Sequence, residues 1–214
     1  SVRYSEDMDL DATGLSIYAL KETVMNILLA PAFYNGLKTY GIERIVPSDM
    51  GKAKQTETTQ RFKLRLITYS REDLFTKIEF SRRGITGNVV IQTVQDDILR
   101  GYKMPPLLIP HYDVSSAVTQ KVCALASRSI IQARDVFDLY VLKPQYGPSG
   151  KKTSKITKEK IAKAYENAFL ISFEQFRDTV IAFLPEDDAA VYNTPAAWDE
   201  IKLKVANFLE ELKK

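Results

Sequence analysis

Asp7 and Asp9 flank Met8 near the start of the chain, and in an extended strand residues i and i+2 point to the same side. Both carboxylates then reach toward one point in space. Two like charges held that close repel, and a divalent cation with oxygen ligands is the usual resolution. Glu79 lies on a second predicted strand and supplies a third oxygen donor. Three carboxylates on neighbouring strands suit two Mg²⁺ ions roughly 4 Å apart, one activating an attacking oxygen and the other neutralising a leaving one. The same aspartate pair also serves to solvate an edge strand, and the spacing taken alone favours that plainer reading. Asp73 or Glu72 would replace Glu79 if the strand register differed by a few residues.

A second set of candidates lies between residues 121 and 142. Lys121 and Arg128 are seven apart, on one helical face, while Arg134 and Asp138 are spaced i,i+4 and Asp135 and Asp138 i,i+3. Two cations beside a carboxylate cluster are suited to gripping a triphosphate. An intrahelical Arg134–Asp138 pair with ordinary surface cations is the competing reading. Between Lys143 and Lys163 seven lysines stand against the single acid Glu159. This stripe, with Lys151, Lys152 and Lys155 at its centre, suits a nucleic-acid phosphate backbone; a solvated loop leading into a helix accounts for it equally well. His111 and Cys123 read as structural residues.

The elements that must position these groups follow from periodicity. Residues 2–10 alternate, with Arg3, Ser5, Asp7 and Asp9 on one parity, which predicts a strand. Ser16 caps a helix carrying Ile17, Leu20, Val24, Ile27 and Leu28, limited by Pro31 and Gly36. Residues 61–70 and 73–81 read as an antiparallel hairpin that puts Phe75, Lys77, Glu79 and Ser81 on one face, opposite Ile78 and Phe80. A short strand is predicted at 88–94, then an extended connection through Pro105, Pro106 and Pro110. Helices are predicted at 116–128 and 133–143. Beyond a Gly/Pro/Lys loop come three amphipathic helices. The first carries Ile161, Ala164, Tyr165 and Ala168. The second has a Ser172/Gln175 capping box, and the third Thr194 as N-cap and Pro195 at its first position. Strands first and helices after predict an α+β fold, a mixed or antiparallel sheet with flanking helices followed by a helical C-terminal region. The expected division is 1–143, a linker at 144–154, and a helical domain at 155–214.

Composition narrows the field. With 214 residues, 45% hydrophobic and 27% charged, the chain is long and apolar enough for a full core. One cysteine and one histidine exclude a disulfide framework and nearly exclude a Cys/His zinc site. The net charge of +3 is too small to argue for nucleic acid by bulk attraction. That excess lies in residues 1–150, because residues 151–214 hold eleven basic and eleven acidic side chains. No membrane span and no signal peptide are expected.

The run Arg3-Tyr4-Ser5-Glu6-Asp7-Met8-Asp9-Leu10 resembles the arginine–aromatic–serine–x–aspartate–aliphatic–aspartate signature of the AbiEii/AbiGii nucleotidyltransferases. These are toxins of type IV toxin–antitoxin systems, built on the DNA polymerase β-like nucleotidyltransferase fold. Lys121, Ala124, Leu125 and Arg128, then Arg134-Asp135 and Asp138-Leu139, resemble that family's later motifs, with Lys77-Ile78-Glu79 as the acidic strand between them. The resemblance runs from residue 3 to about 142; the remainder is similar only in being helical.

The resemblance implies that Asp7 and Asp9 bind Mg²⁺, with Glu79 completing a two-ion site or acting as base toward the acceptor hydroxyl. Lys121 would contact the triphosphate, Arg128 and Arg134 would hold phosphate or RNA backbone, and Asp138 would orient Lys121 or Arg134. Ser5 is either a phosphate contact or a strand residue. The implied reaction transfers NMP from an NTP to an acceptor hydroxyl on RNA, tRNA included, in the cytoplasm. The implied role is that of a toxin in a toxin–antitoxin or phage-defence system, without a stable antitoxin complex. Family members carry a Gly-Gly or Gly-Ser pair upstream of the acidic strand, and Ser1, six residues before Asp7, is not that pair. The expectation is that the chain lacks its first phosphate-binding motif, which puts NTP binding and activity of the chain as given in question. Nucleotidyl transfer to a small molecule, and a catalytically inactive RNA-binding or regulatory module, are the alternatives.

Overall fold

The computed structural model of the protein describes residues 7–47, 55–147 and 156–213. The chain forms two compact units, Ser5–Ile85 and Thr86–Lys214.

The first unit begins with strand β1 (Asp7–Asp11). Gly14, at a positive φ of 74° that suits glycine, turns the chain into helix α1 (Ile17–Leu29). Ser16 caps that helix as expected, its hydroxyl accepting from the Ala19 amide at 3.1 Å. Pro31 ends α1 by opening a new helix, α2 (Pro31–Lys38), in which it holds the first position. Proline is tolerated there because its missing N–H has no intrahelical partner in any case. Gly36 thus lies inside a helix rather than limiting one. Strands β2 (Ile42–Pro47), β3 (Thr59–Thr68) and β4 (Asp73–Ser81) follow. The β3–β4 hairpin is the one expected, and β2 is an element that the sequence pattern did not disclose.

The sheet is mixed, in the order β1-β4-β3-β2, with β1 parallel to β4 and the other pairs antiparallel. Side chains alternate across it. One face presents Phe62, Leu64, Leu66, Ile78 and Phe80 to Leu20, Val24 and Leu28 of α1, which recur every four residues along one stripe. Gln60, fully buried, ties this layer to the start of α1 through an Nε2 bond to the Ile17 carbonyl at 3.0 Å. Its Oε1 accepts from Arg82 Nη1 at 2.8 Å. The other face carries the polar set described below.

The second unit opens with a two-stranded sheet, β5 (Val89–Thr93) and β6 (Leu108–Tyr112), with the short helix α3 (Asp96–Gly101) between them. The expected proline-rich connection therefore contains a strand. Pro110, opposite Ile91, is tolerated because each strand of a two-stranded sheet is an edge. Helices α4 (Val114–Ser127) and α5 (Ala133–Leu142) come next. The C-terminal part contributes α6 (Lys158–Phe169), α7 (Phe173–Thr179), α8 (Glu186–Tyr192) and α9 (Pro195–Leu212). The Ser172/Gln175 capping box and the Thr194 cap both form, whereas α8 was not anticipated. Val118, Val122, Leu125, Val136, Phe137 and Leu139 share one core with Ile161, Phe176, Trp198, Val205 and Leu209. For this reason α4 and α5 pack with the C-terminal helices, and the division falls at residues 85/86 rather than at 144–154. Among the described residues no helix is long and apolar enough to cross a membrane.

Candidate active site

The parallel register of β1 and β4 decides what surrounds the two aspartates. Asp7 lies beside Lys77 and Asp9 beside Glu79, and across β3 the partner of Glu79 is Arg61. These side chains project to the polar face of the sheet, as their shared parity predicts. Lys77 Nζ sits 2.7 Å from Asp7 Oδ2. Arg61 donates through Nε to Glu79 Oε2 at 2.6 Å, and its Nη2 reaches the same oxygen at 2.6 Å. All four groups are about one-third exposed, so each pair contributes on the order of 1 kcal/mol or less to stability. Asp9 is exposed, and no hydrogen bond or ion pair from the described residues engages its carboxylate.

Carboxylate repulsion in this face is therefore relieved by Lys77 and Arg61 as well as by any cation. Among the described residues no three His, Cys, Asp or Glu side chains converge to hold a metal ion. In donor chemistry Asp7 and Asp9 remain suited to Mg²⁺: both are hard oxygen ligands on one face, and Asp9 keeps its lone pairs open. Glu79 is gripped by Arg61 and would have to share that oxygen or use the other one.

The second unit holds the other predicted group, organised around a residue not itself among the predicted site residues. Asp135, on the first turn of α5, is completely buried. Lys121 Nζ lies 3.3 Å from its Oδ1, and Arg128 Nε lies 3.2 Å from its Oδ2. Lys121 also meets Asp138 Oδ2 at 2.5 Å. Asp138 thus pairs with Lys121, and among the described residues the intrahelical Arg134–Asp138 pair does not form. Arg134 is half-buried without a partner among the described residues. Arg128, the C-cap of α4, bonds through Nη1 to Gln132 at 2.7 Å. A buried carboxylate bracketed by two cations fixes where both point. The available signal was the heptad spacing of the cations and the i,i+3 spacing of Asp135 and Asp138 on α5.

The candidate residues thus fall in two units: Asp7, Asp9 and Glu79 in the first, and Lys121, Arg128, Arg134 and Asp138 in the second. Ser5, Lys151, Lys152 and Lys155 lie outside the described residues.

A mixed sheet backed by helices, an acidic pair on its open face and a helical core make an α+β nucleotidyltransferase architecture. The model of the nucleotidyl transferase AbiEii toxin of type IV toxin–antitoxin systems matches residues 1–210. The chain belongs to this family and is a nucleotidyltransferase of the toxin–antitoxin kind. Among solved structures it is similar to MenT4, a nucleotidyltransferase toxin from Mycobacterium tuberculosis. That match has 16% identity and a TM-score of 0.52, covering 98% of this chain and 69% of the other. It is also similar to JHP933 from Helicobacter pylori, at 15% identity and a TM-score of 0.47, covering 98% of this chain and 78% of that one. At such identities the likeness is one of fold. No curated protein matches the sequence.

Proposed function

We propose that the protein transfers a nucleoside monophosphate from an NTP to a hydroxyl group of RNA, tRNA included, and that this modification is the basis of its toxicity. The observation that supports this reading best is the acidic pair. Asp7 and Asp9 stand on one strand face, Asp9 with an open carboxylate, in a chain whose family is that of nucleotidyltransferase toxins. In the reaction the acceptor oxygen bonds to the α-phosphorus, the bond to the β-phosphate bridge breaks, pyrophosphate leaves and the hydroxyl proton passes to a base.

Asp7 and Asp9 would hold Mg²⁺, two ions being the arrangement suited to this chemistry, with Glu79 as third carboxylate or as the base. The metal would neutralise charge on the phosphates. The remaining work belongs to the chain. Lys77 and Arg61 orient Asp7 and Glu79, and Asp135 and Asp138 aim Lys121 and Arg128 at anionic phosphates. Arg134 adds a further cation for phosphate or RNA backbone. Lys151, Lys152 and Lys155, and Ser5, are proposed contacts to RNA and phosphate respectively, on sequence grounds. The proposal extends to action in the cytoplasm, to a role in phage defence and to an antitoxin that forms no stable complex with the toxin.

Incubating the full chain with each α-³²P-NTP and total RNA, then separating RNA from small molecules, tests this reading. Label in RNA is expected; label confined to a metabolite would assign the activity to a small molecule instead.

A further inference from the structure

The two-stranded sheet of the second unit has two edges, and only one of them is guarded. The Val94 amide donates to the Leu107 carbonyl and the Asp113 amide to the Asn88 carbonyl, both at 2.9 Å, at the two ends of the β5–β6 ladder. Bonded and non-bonded pairs alternate in an antiparallel ladder, so Val90–His111 and Gln92–Ile109 are the bonded pairs between those ends. Val89, Ile91 and Thr93 therefore turn their N–H and C=O groups away from β6, as Leu108, Pro110 and Tyr112 turn theirs away from β5. On the β6 side Pro110 has no N–H to offer, which keeps an edge from pairing. On the β5 side Val89-Val90-Ile91-Gln92-Thr93 carries no proline, no charge and no bulge. Among the described residues no group bonds the outward backbone of Val89, Ile91 or Thr93. The ribbon is also thinly covered. Val89, Ile91 and Leu108 are 45%, 69% and 63% exposed on one face, and Ile109 is 40% exposed on the other. A bare two-stranded ribbon is marginally stable in water.

We propose that β5 pairs antiparallel with β5 of a second copy of the chain, across a two-fold axis at Ile91, to make a four-stranded sheet. The strand is complementary to itself. A register centred on Ile91 sets Ile91 against Ile91 and Val89 against Thr93, so every outward N–H and C=O of both strands is bonded. A shift of two residues either way leaves Val89 or Thr93 opposite residues outside the strand. Self-pairing opposes like charges in a charged strand, but the nearest charge downstream of β5 is Asp96, beyond its end. The pairs it makes instead, Ile–Ile and Val–Thr, are β-branched and favourable. Such a contact is isologous and leaves the Pro110 edges outermost, so assembly stops at two copies. Neither the pairing nor its test depends on the nucleotidyl-transfer reading.

Sedimentation equilibrium of the full chain from about 1 to about 100 µM brackets the micromolar dissociation expected of so small an interface. The wild type is expected to dimerise within that range. Ile91→Lys opposes two ammonium groups at the axis, and Ile91→Pro removes only an outward N–H; each should weaken the dimer about tenfold or more. An equimolar mixture of Ile91→Lys and Ile91→Glu should dimerise about as tightly as the wild type, whereas each of the two alone should not. Thermal melts at the lowest concentration should match the wild type, because Ile91 is exposed and its N–H bonds nothing in its own copy. A wild type that stays monomeric throughout would overturn the proposal and leave the β5 edge to a strand of another protein. A dimer that both Ile91→Lys and Ile91→Pro leave intact would place the contact elsewhere and overturn it too. So would a mixture of Ile91→Lys and Ile91→Glu that stays monomeric while the wild type dimerises.

Discussion

Replacing Asp135 by asparagine keeps the side chain's shape and removes its charge. The carboxylate is fully buried, with Lys121 and Arg128 at 3.3 and 3.2 Å. The Lys121 hydrogen bond to Oδ1 is worth about 1.5–3 kcal/mol when intact, while Oδ2 faces Arg128 as an ion pair without a hydrogen bond. Two effects offset the loss. The buried anion's desolvation cost disappears with it, and the cations, 31% and 36% exposed, regain water while keeping Asp138 and Gln132. The balance is a destabilisation of about 2 kcal/mol for Asp135→Asn. Asp138, 23% exposed and holding only Lys121, should cost about 1 kcal/mol or less in the same substitution. Trp198 is the protein's one tryptophan; it is buried in the same core and stacked on Phe176 at 4.1 Å. Its fluorescence therefore reports unfolding of the second unit alone. With a urea m-value of about 2 kcal/mol/M, Asp135→Asn should lower the midpoint by about 1 M. An unchanged or raised midpoint, or an equal drop in Asp138→Asn, would refute the view that Asp135 is the anchor of this cluster.

Three other outcomes follow from the packing. A Cβ at Gly87 would sit 2.4 Å from both Cβ and Oγ of Ser116, whose hydroxyl accepts from the Asn88 amide at 2.8 Å. Gly87→Ala should therefore cost about 1–3 kcal/mol in a urea melt. Asn167 Nδ2 donates to the Leu125 carbonyl at 2.8 Å inside the core, satisfying an acceptor in the last turn of α4. Asn167→Ala should cost about 1–3 kcal/mol by the same fluorescence melt. Hydrogen bonds from Arg65 hold the Asp73 carboxyl below the ordinary carboxylate range. A lowered folded pKa adds stability above the unfolded value of about 3.9 that is lost as pH falls through the folded one. Thermal melts by far-UV circular dichroism at pH 3 and pH 5 should therefore differ less in Asp73→Asn than in the wild type.

Local chemistry was legible in the sequence where a residue's role is decided by its neighbours in the chain. Ser16, Ser172/Gln175 and Thr194 cap the helices they precede, and parity put Lys77 and Glu79 on one face of β4. Long-range pairing was not legible. Nothing in 2–10 says that β1 runs parallel to β4, and only that register sets Lys77 against Asp7 and Glu79 beside Asp9. Arg134 and Asp138 have ideal helical spacing, yet Asp138 turns to Lys121 on another helix, where it shares the ammonium with a buried acid. Pro31 and Pro110 read as breaks because proline's missing N–H can end an element; a helix's first position and a sheet edge are where it costs nothing. The boundary expected at 144–154 followed composition, whereas Val122, Leu125 and Phe137 find their apolar partners beyond it.

The central claim is that the acidic pair on β1 carries the chemistry, and Asp9→Asn tests it most directly. Asp9 is exposed and unengaged by any described residue, so the substitution should leave stability within about 0.5 kcal/mol. Transfer of α-³²P-NMP to RNA should nevertheless fall at least about a hundredfold, the equivalent of losing a few kcal/mol of charge stabilisation. Wild-type rates of transfer in Asp9→Asn would contradict the account.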